Sequence, residues 1–138
     1  MKARIKWVDG LMFVGESPSG HAVVMDAPVE AGGTDKGIRP MEMLLLGMGG
    51  CSSIDVIGIL KKARAELVDC AVEIEAKRAD EAPKVFTGIH AHYIVSGRNL
   101  KPATVERAIE LSVEKYCSAS LMLGKTAEIT HDYEIIEI

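Results

Sequence analysis

The first third of the chain alternates like a β-meander. Ala3, Ile5 and Trp7 interleave with Arg4 and Lys6, the period of a half-buried strand. Asp9-Gly10 is a hairpin turn signal, and residues 11–16 form the return strand. Ser17-Pro18-Ser19-Gly20 turns again, and residues 21–26 make a third strand. Residues 27–38 read as a loop holding Gly32, Gly33 and Gly37.

At Pro40 the period changes. Proline suits the first turn of a helix, and the pattern is helical from residue 41 to about 65. Met41, Leu44, Met48, Cys51, Asp55 and Ile59 fall on one stripe. Leu45, Leu46, Val56, Ile57 and Leu60 widen it until the helix is apolar nearly all round. Such a helix is covered on more than one side. In so short a chain it either runs through the centre of the fold or is covered by a second subunit.

Alternation then returns. Cys70, Val72, Ile74 and Ala76 face one way, and Ala71, Glu73, Glu75 and Lys77 the other. Residues 86–96 form a second such strand, with Ile89, Ala91, Tyr93 and Val95 on one side, and the polar stretch 78–83 joins the two as a hairpin. Lys101-Pro102 starts a second helix, in which Val105, Ala108, Ile109 and Ser112 share a face, ending near Tyr116. Residues 117–123 form a short helix closed by Gly124. The last strand places Ala127, Ile129, His131 and Tyr133 against Glu128, Thr130, Asp132 and Glu134. The elements read as a single domain over residues 1–138, without repeats or an interdomain linker.

Composition narrows the class. Hydrophobic residues make up 48% of the 138, enough for a packed core, and aromatics only 4%, so aliphatic side chains and methionine must fill it. A net charge of −4 and a pI near 5.6 argue against nucleic acid as a partner, since phosphate binding needs a basic face. The first seven residues alternate charged and apolar side chains, unlike a signal peptide or a membrane anchor. No apolar run reads as long and pure enough to span a bilayer. Three cysteines without an export signal do not make a disulfide framework, so a reducing cytoplasm is expected.

Two of those cysteines carry the candidate chemistry. Cys51 closes the segment Gly47-Met48-Gly49-Gly50-Cys51 inside the long helix. A glycine in a helix interior costs about 1 kcal/mol relative to alanine, so three beside one thiol imply that something comes close there. Asp55 lies one turn further on. Most free cysteines are simply small buried hydrophobes, and a mid-helix thiol gains nothing from the helix dipole. An activated thiolate would therefore need a cation from elsewhere. Cys117 is either part of a helix–helix turn or a second, resolving thiol at the start of a short helix, where the dipole favours a thiolate. Cys70 falls on the inner strand face and reads as packing. His90 and His92 share a strand face, with Glu73 and Glu75 able to lie opposite. That pattern reads as a solvated sheet surface, because no third and fourth metal ligand and no metal-binding motif accompanies it. The glycine clusters lack the lysine and preceding strand of a phosphate loop. Neither a metal nor an organic cofactor is expected.

Ala27-Pro28, Gly32-Gly33, Pro40-Met41-Glu42-Met43-Leu44-Leu45-Leu46, Gly49-Gly50-Cys51 and Tyr116-Cys117-Ser118 fall in the order seen in the OsmC/Ohr family. The chain resembles most fully that family's YhfA-type branch, along essentially its whole length, including Ala3-Arg4, Lys6-Trp7-Val8, Glu114-Lys115-Tyr116-Cys117-Ser118 and Thr130-His131. The resemblance implies an α+β, OsmC-like fold built as an intertwined homodimer, with two central helices against wrapping sheets and a site at the subunit interface. It implies that Cys51 reduces organic hydroperoxides and that Cys117 resolves it. The family's activating arginine comes from the N-terminal β-region, but this chain has no arginine or lysine between Gly10 and Asp26. Arg4 and Arg39 are the nearest candidates. The family's glutamate directly follows the helix-starting proline; here Met41 stands in that place and Glu42 one position later. Ser118 replaces the proline that commonly follows the second cysteine.

The leading expectation is a thiol-dependent hydroperoxide reductase of oxidative-stress defence, with Cys51 and Cys117 catalytic, Arg39 and Glu42 as candidate activators, and an external thiol as reductant. Leu44, Met48, Leu121 and Met122 would form apolar walls that favour organic peroxides. The alternative is a non-catalytic dimeric binding or redox-sensing module, holding a small hydrophobic ligand at the interface. A cysteine acyl- or group-transfer enzyme with Asp55 as helper would need His21 or His131 brought in by the fold.

Overall fold

The computed structural model describes all residues, Met1–Ile138. They form two compact units, Met1–Leu46 and Gly47–Ile138.

In the first unit, β1 (Arg4–Asp9), β2 (Met12–Glu16) and β3 (Ala22–Met25) form an antiparallel meander in that order. Trp7 pairs with Phe13, and Phe13 with Met25. The Trp7 indole N–H donates to the Gly10 carbonyl at 2.8 Å and so braces the first hairpin. β1 is not half-buried as its alternation suggests: Ile5 stays 60% and Trp7 57% exposed, because no second layer in this unit covers them. The loop after β3 is organised by the buried carboxylate of Asp26. It accepts hydrogen bonds from the amides of Ala27, Thr34 and Lys36 and from the Thr34 hydroxyl. The Thr34 hydroxyl is the main reason that this carboxyl titrates below the usual range. Gly33 is required here, since a Cβ would sit 2.0 Å from the Ala27 carbonyl oxygen.

The long helix α1 runs over Pro40–Lys62, 23 residues. Its start is closed by Glu42, whose carboxylate accepts the Arg39 amide N–H at 2.8 Å. Its buried line differs from the predicted stripe. Met48, Gly49, Ser52, Val56 and Leu60 are buried, while Cys51 and Asp55 lie on the flank. The shift follows from size: a Cβ on Gly49 would stand 3.1 Å from Ile74 Cδ1 and 3.2 Å from Val72 Cγ1, so small residues mark the closest approach to the neighbouring strand. Leu46 and Ile54 remain 66% and 74% exposed. The expectation that no apolar run could span a bilayer is corrected. An 18-residue window of α1 has a mean hydropathy of 1.8, long and apolar enough by length and composition. Only Asp55 interrupts it with a charge between Glu42 and Lys61.

The second unit holds the C-terminal part of α1 and a sheet of β4 (Glu66–Arg78), β5 (Phe86–Arg98) and β6 (Glu128–Glu137), in that order. β4 and β5 are antiparallel, and both outrun their predicted lengths; β5 and β6 are parallel. Parallel neighbours need a crossover. It is supplied by α2 (Pro102–Leu111), a π turn (Ser112–Tyr116) and α3 (Ser118–Leu123). The second helix thus ends as an α-helix at Leu111, and the π turn carries it to Tyr116. Gly124 closes α3 with φ −65°, so no left-handed cap is used. Val56, Leu60, Ile89, Tyr93, Val95, Val105 and Ile109 form the core of this unit.

Candidate redox-thiol site

Cys51 projects from the flank of α1 and is half-buried. Cys117, from the end of the π turn, is fully buried at 0% exposure. The fold brings the two side chains near enough that Cys51 acts on the Cys117 thiol, and all three cysteines are free thiols. Cys117 is the N-cap of α3: its sulfur accepts the Ser120 amide N–H at 3.3 Å and the Ser120 hydroxyl at 3.1 Å. Its own S–H points to the Met48 carbonyl, 3.9 Å away. The expectation that the helix start favours a Cys117 thiolate is corrected. Burial pushes the Cys117 thiol above its ordinary value, outweighing the two hydrogen bonds from Ser120, and the adjacent Cys51 pushes the same way. At rest, Cys117 is a protonated thiol with two donors already aimed at its sulfur.

Beside the cysteines runs a chain of buried hydroxyls. Tyr93 O–H donates to Ser52 Oγ, Ser52 to Ser112 Oγ at 3.0 Å, and Ser112 to the Asp55 carboxylate at 3.1 Å. This direction gives every hydroxyl an acceptor and ends on the charge. Asp55 therefore has Ser112 as its partner. Burial raises the Tyr93 phenol above its ordinary value. The chain ties α1 to β5 and to the end of α2, so it holds the helix segment that carries Cys51.

Of the other predicted residues, Arg39 is already occupied: its guanidinium is engaged by the Asp35 carboxylate at 2.7 Å and the Gly37 carbonyl at 2.9 Å. Asp35 is the main reason that its pKa is raised. Glu42 is held by the Arg39 amide. Cys70 faces inward beside Val72 and Ile74, and burial raises its pKa, with Asp69 adding to the effect. Met48 is core, 1% exposed, whereas Leu44, Leu121 and Met122 are exposed. His21 bonds Ser19 at 3.2 Å in the exposed β2–β3 turn, and no histidine hydrogen-bonds either cysteine. His90 and His92 stand opposite Glu75 and Glu73, as their spacing allows, but their rings bond across to β6 instead. His90 meets Thr130 and Asp132, and His92 meets Asp132 at 2.7 Å and Glu134 at 3.1 Å.

Sequence reading missed Ser120, Ser52, Ser112 and Tyr93. Ser120 carries a local signal, since it sits three residues after Cys117, where an N-cap side chain receives an amide. Cysteine is an unusual cap, which hid it.

A fold of this order, with two thiols meeting at the crossover, defines a class. The chain belongs to the OsmC family, whose model, described as OsmC-like protein, matches residues 33–132. It is 54% identical over 136 residues to Protein YhfA of Escherichia coli (strain K12), covering 99% of this chain and 98% of that protein. A solved structure from structural genomics is 51% identical, with a TM-score of 0.91 and full coverage of both chains. The fold is also similar to an organic hydroperoxide resistance protein OsmC from Legionella pneumophila, at a TM-score of 0.74 and 18% identity over 96% of this chain and 95% of that one.

Proposed function

We propose that this protein is a thiol-dependent reductase of organic hydroperoxides, in which Cys51 attacks the peroxide and Cys117 resolves it. The observation that carries the reading is the nearness of a partly exposed thiol on α1 to a buried one at the head of α3. The Cys51 thiolate would attack the outer peroxide oxygen, releasing an alcohol and leaving a sulfenic acid. Cys117 would then condense with it, losing water and forming a disulfide. An external dithiol would reduce the pair. The fold shared with a protein named for organic hydroperoxide resistance supports this substrate class. Such chemistry suits the cytoplasm, where thiols regenerate the pair.

The working unit is proposed to be a homodimer. Ile5, Trp7, Leu44, Leu46 and Ile54 are large apolar side chains left exposed by the single chain, and a partner subunit would cover them.

One observation favours the second reading, a binding or redox-sensing dimer. Arg39 is already engaged by Asp35 and Gly37, and no cation hydrogen-bonds either thiol. Turnover separates the two. With excess dithiothreitol and cumene hydroperoxide, an enzyme consumes many peroxide equivalents per subunit, whereas a sensor is oxidised once.

A further inference from the structure

We infer that the Cys51–Cys117 disulfide is opened only at Cys51, with Cys117 expelled as a thiolate that the Ser120 hydroxyl and amide receive. The inference rests on the two-cysteine reading above and deepens it by assigning the reductive half and a further catalytic residue, Ser120.

Three features of the site point this way. Cys117 has no exposed surface, whereas Cys51 is partly open, so an incoming thiol reaches the Cys51 sulfur first. Thiol–disulfide exchange is in-line: the attacking, attacked and leaving sulfurs align, so attack at Cys51 expels Cys117, whose buried thiolate needs donors to offset its desolvation. Two donors already converge on Cys117, the Ser120 hydroxyl at 3.1 Å and the Ser120 amide at 3.3 Å. Ser120 is itself buried, at 2% exposure, so its hydroxyl does not trade this partner freely for water. Hydrogen bonds to a charged group are stronger than those to a neutral one, so these donors stabilise Cys117 more as it leaves than before. That is the difference that lowers a barrier.

The step balances with a dithiol as reductant. One thiolate of the dithiol attacks Cys51 Sγ; a new S–S bond forms to Cys51 as the Cys51–Cys117 bond breaks and its electron pair goes to Cys117. The second thiol of the reductant then attacks its own sulfur in the mixed disulfide. Cys51 leaves as a thiolate, and the reductant departs as a cyclic disulfide. Cys117 takes a proton and again points its S–H to the Met48 carbonyl.

The test starts from protein oxidised with diamide, so that peroxide chemistry plays no part. The full-length oxidised protein is mixed briefly with glutathione, quenched with N-ethylmaleimide and mapped by peptide mass spectrometry. The expected product carries glutathione on Cys51 and maleimide on Cys117. Glutathione on Cys117, or an even mixture, would overturn the inference, as would failure of diamide to join the two cysteines. In stopped-flow reduction by dithiothreitol, Ser120→Ala should be about tenfold slower, and Ser120→Thr, which keeps the hydroxyl, close to the parent. An unchanged Ser120→Ala rate would remove Ser120 from the step. Slow oxidation by hydroperoxides alongside selective attack at Cys51 would count against the peroxidase reading alone.

Discussion

The amide of Cys117 donates to the carbonyl of Ser112 at 2.7 Å, closing a π turn that sends both side chains inward. The turn has a consequence at each end. Ser112 joins the hydroxyl chain that ends on Asp55, and Cys117 comes up against Cys51. π turns occur often at functional sites, because the extra residue re-aims the side chains beyond it. Here it lets one crossover brace α1 and deliver a thiol to it.

Replacing either thiol should separate the two halves of the proposed cycle. Cys51→Ser is expected to abolish hydroperoxide consumption. Cys117→Ser should leave the first oxidation of Cys51 but accumulate a sulfenic acid, trapped by dimedone and seen by mass spectrometry. Turnover that persists in Cys51→Ser would reject Cys51 as the attacking thiol.

Arg39→Ala is expected to change the rate of Cys51 oxidation less than about twofold, because the guanidinium is already held by Asp35 and Gly37. Stopped-flow mixing with cumene hydroperoxide reads this directly. A loss of tenfold, about 1.4 kcal/mol in the barrier, would mean that Arg39 serves the thiol of a partner subunit.

Gly50→Leu probes the proposed dimer. Gly50 is exposed and a Cβ there meets nothing within 4 Å in its own chain, so the side chain starts out into open space. A partner helix on that face would be pushed away. Sedimentation should show the Gly50→Leu variant shifted towards monomer with its helical circular dichroism kept. An unshifted dimer would place the interface elsewhere.

The hydroxyl chain should matter for stability. Ser112→Ala removes the link between Ser52 and Asp55 and leaves a buried group short of a partner, at a cost of about 1–3 kcal/mol in urea unfolding. Tyr93→Phe should cost less, since Ser52 can still bond Ser112. Equal, negligible effects would show that the chain does not brace α1.

The outer sheet face should titrate as a unit. His92 has a carboxylate at each ring nitrogen, and Asp132, then Glu134, raise its pKa. Its contribution to stability is therefore full below about pH 6.5 and fades as the pH rises through the elevated folded value. Asp132 is lowered, chiefly by its hydrogen bond to His92, so its contribution is full above about pH 3.9 and fades as the pH falls through the lowered value. Both are complete between about pH 4 and 6.5. NMR titration of the His92 ring should show the raised value, and Asp132→Asn should bring it back down; a His92 unaffected by that change would refute the pairing.

Much of this protein is legible along the chain. Period-two alternation marks β1, β4, β5 and β6, turn signals bracket β2 and β3, the polar 78–83 stretch marks a hairpin, and Pro40 and Pro102 mark the starts of α1 and α2. These features are local: they depend on which neighbours in sequence share a face, and each residue states that by itself. Cys51 and Cys117 likewise stand out along the chain as candidates, from their glycine and helix-start settings. The tertiary structure decided the rest. Burial along α1 falls on Ser52, Val56 and Leu60, although Cys51, Asp55 and Ile59 form as regular a stripe. A helix apolar all round does not encode which line meets the sheet, and the lack of a side chain at Gly49, against Val72 and Ile74, selects it. The state of Cys117 also reverses its local reading. A helix start by itself favours a thiolate, but enclosure by Met48, Ser120 and Cys51 removes the water that would solvate the charge. Only folding brings those three around one sulfur, and desolvation then outweighs the helix start.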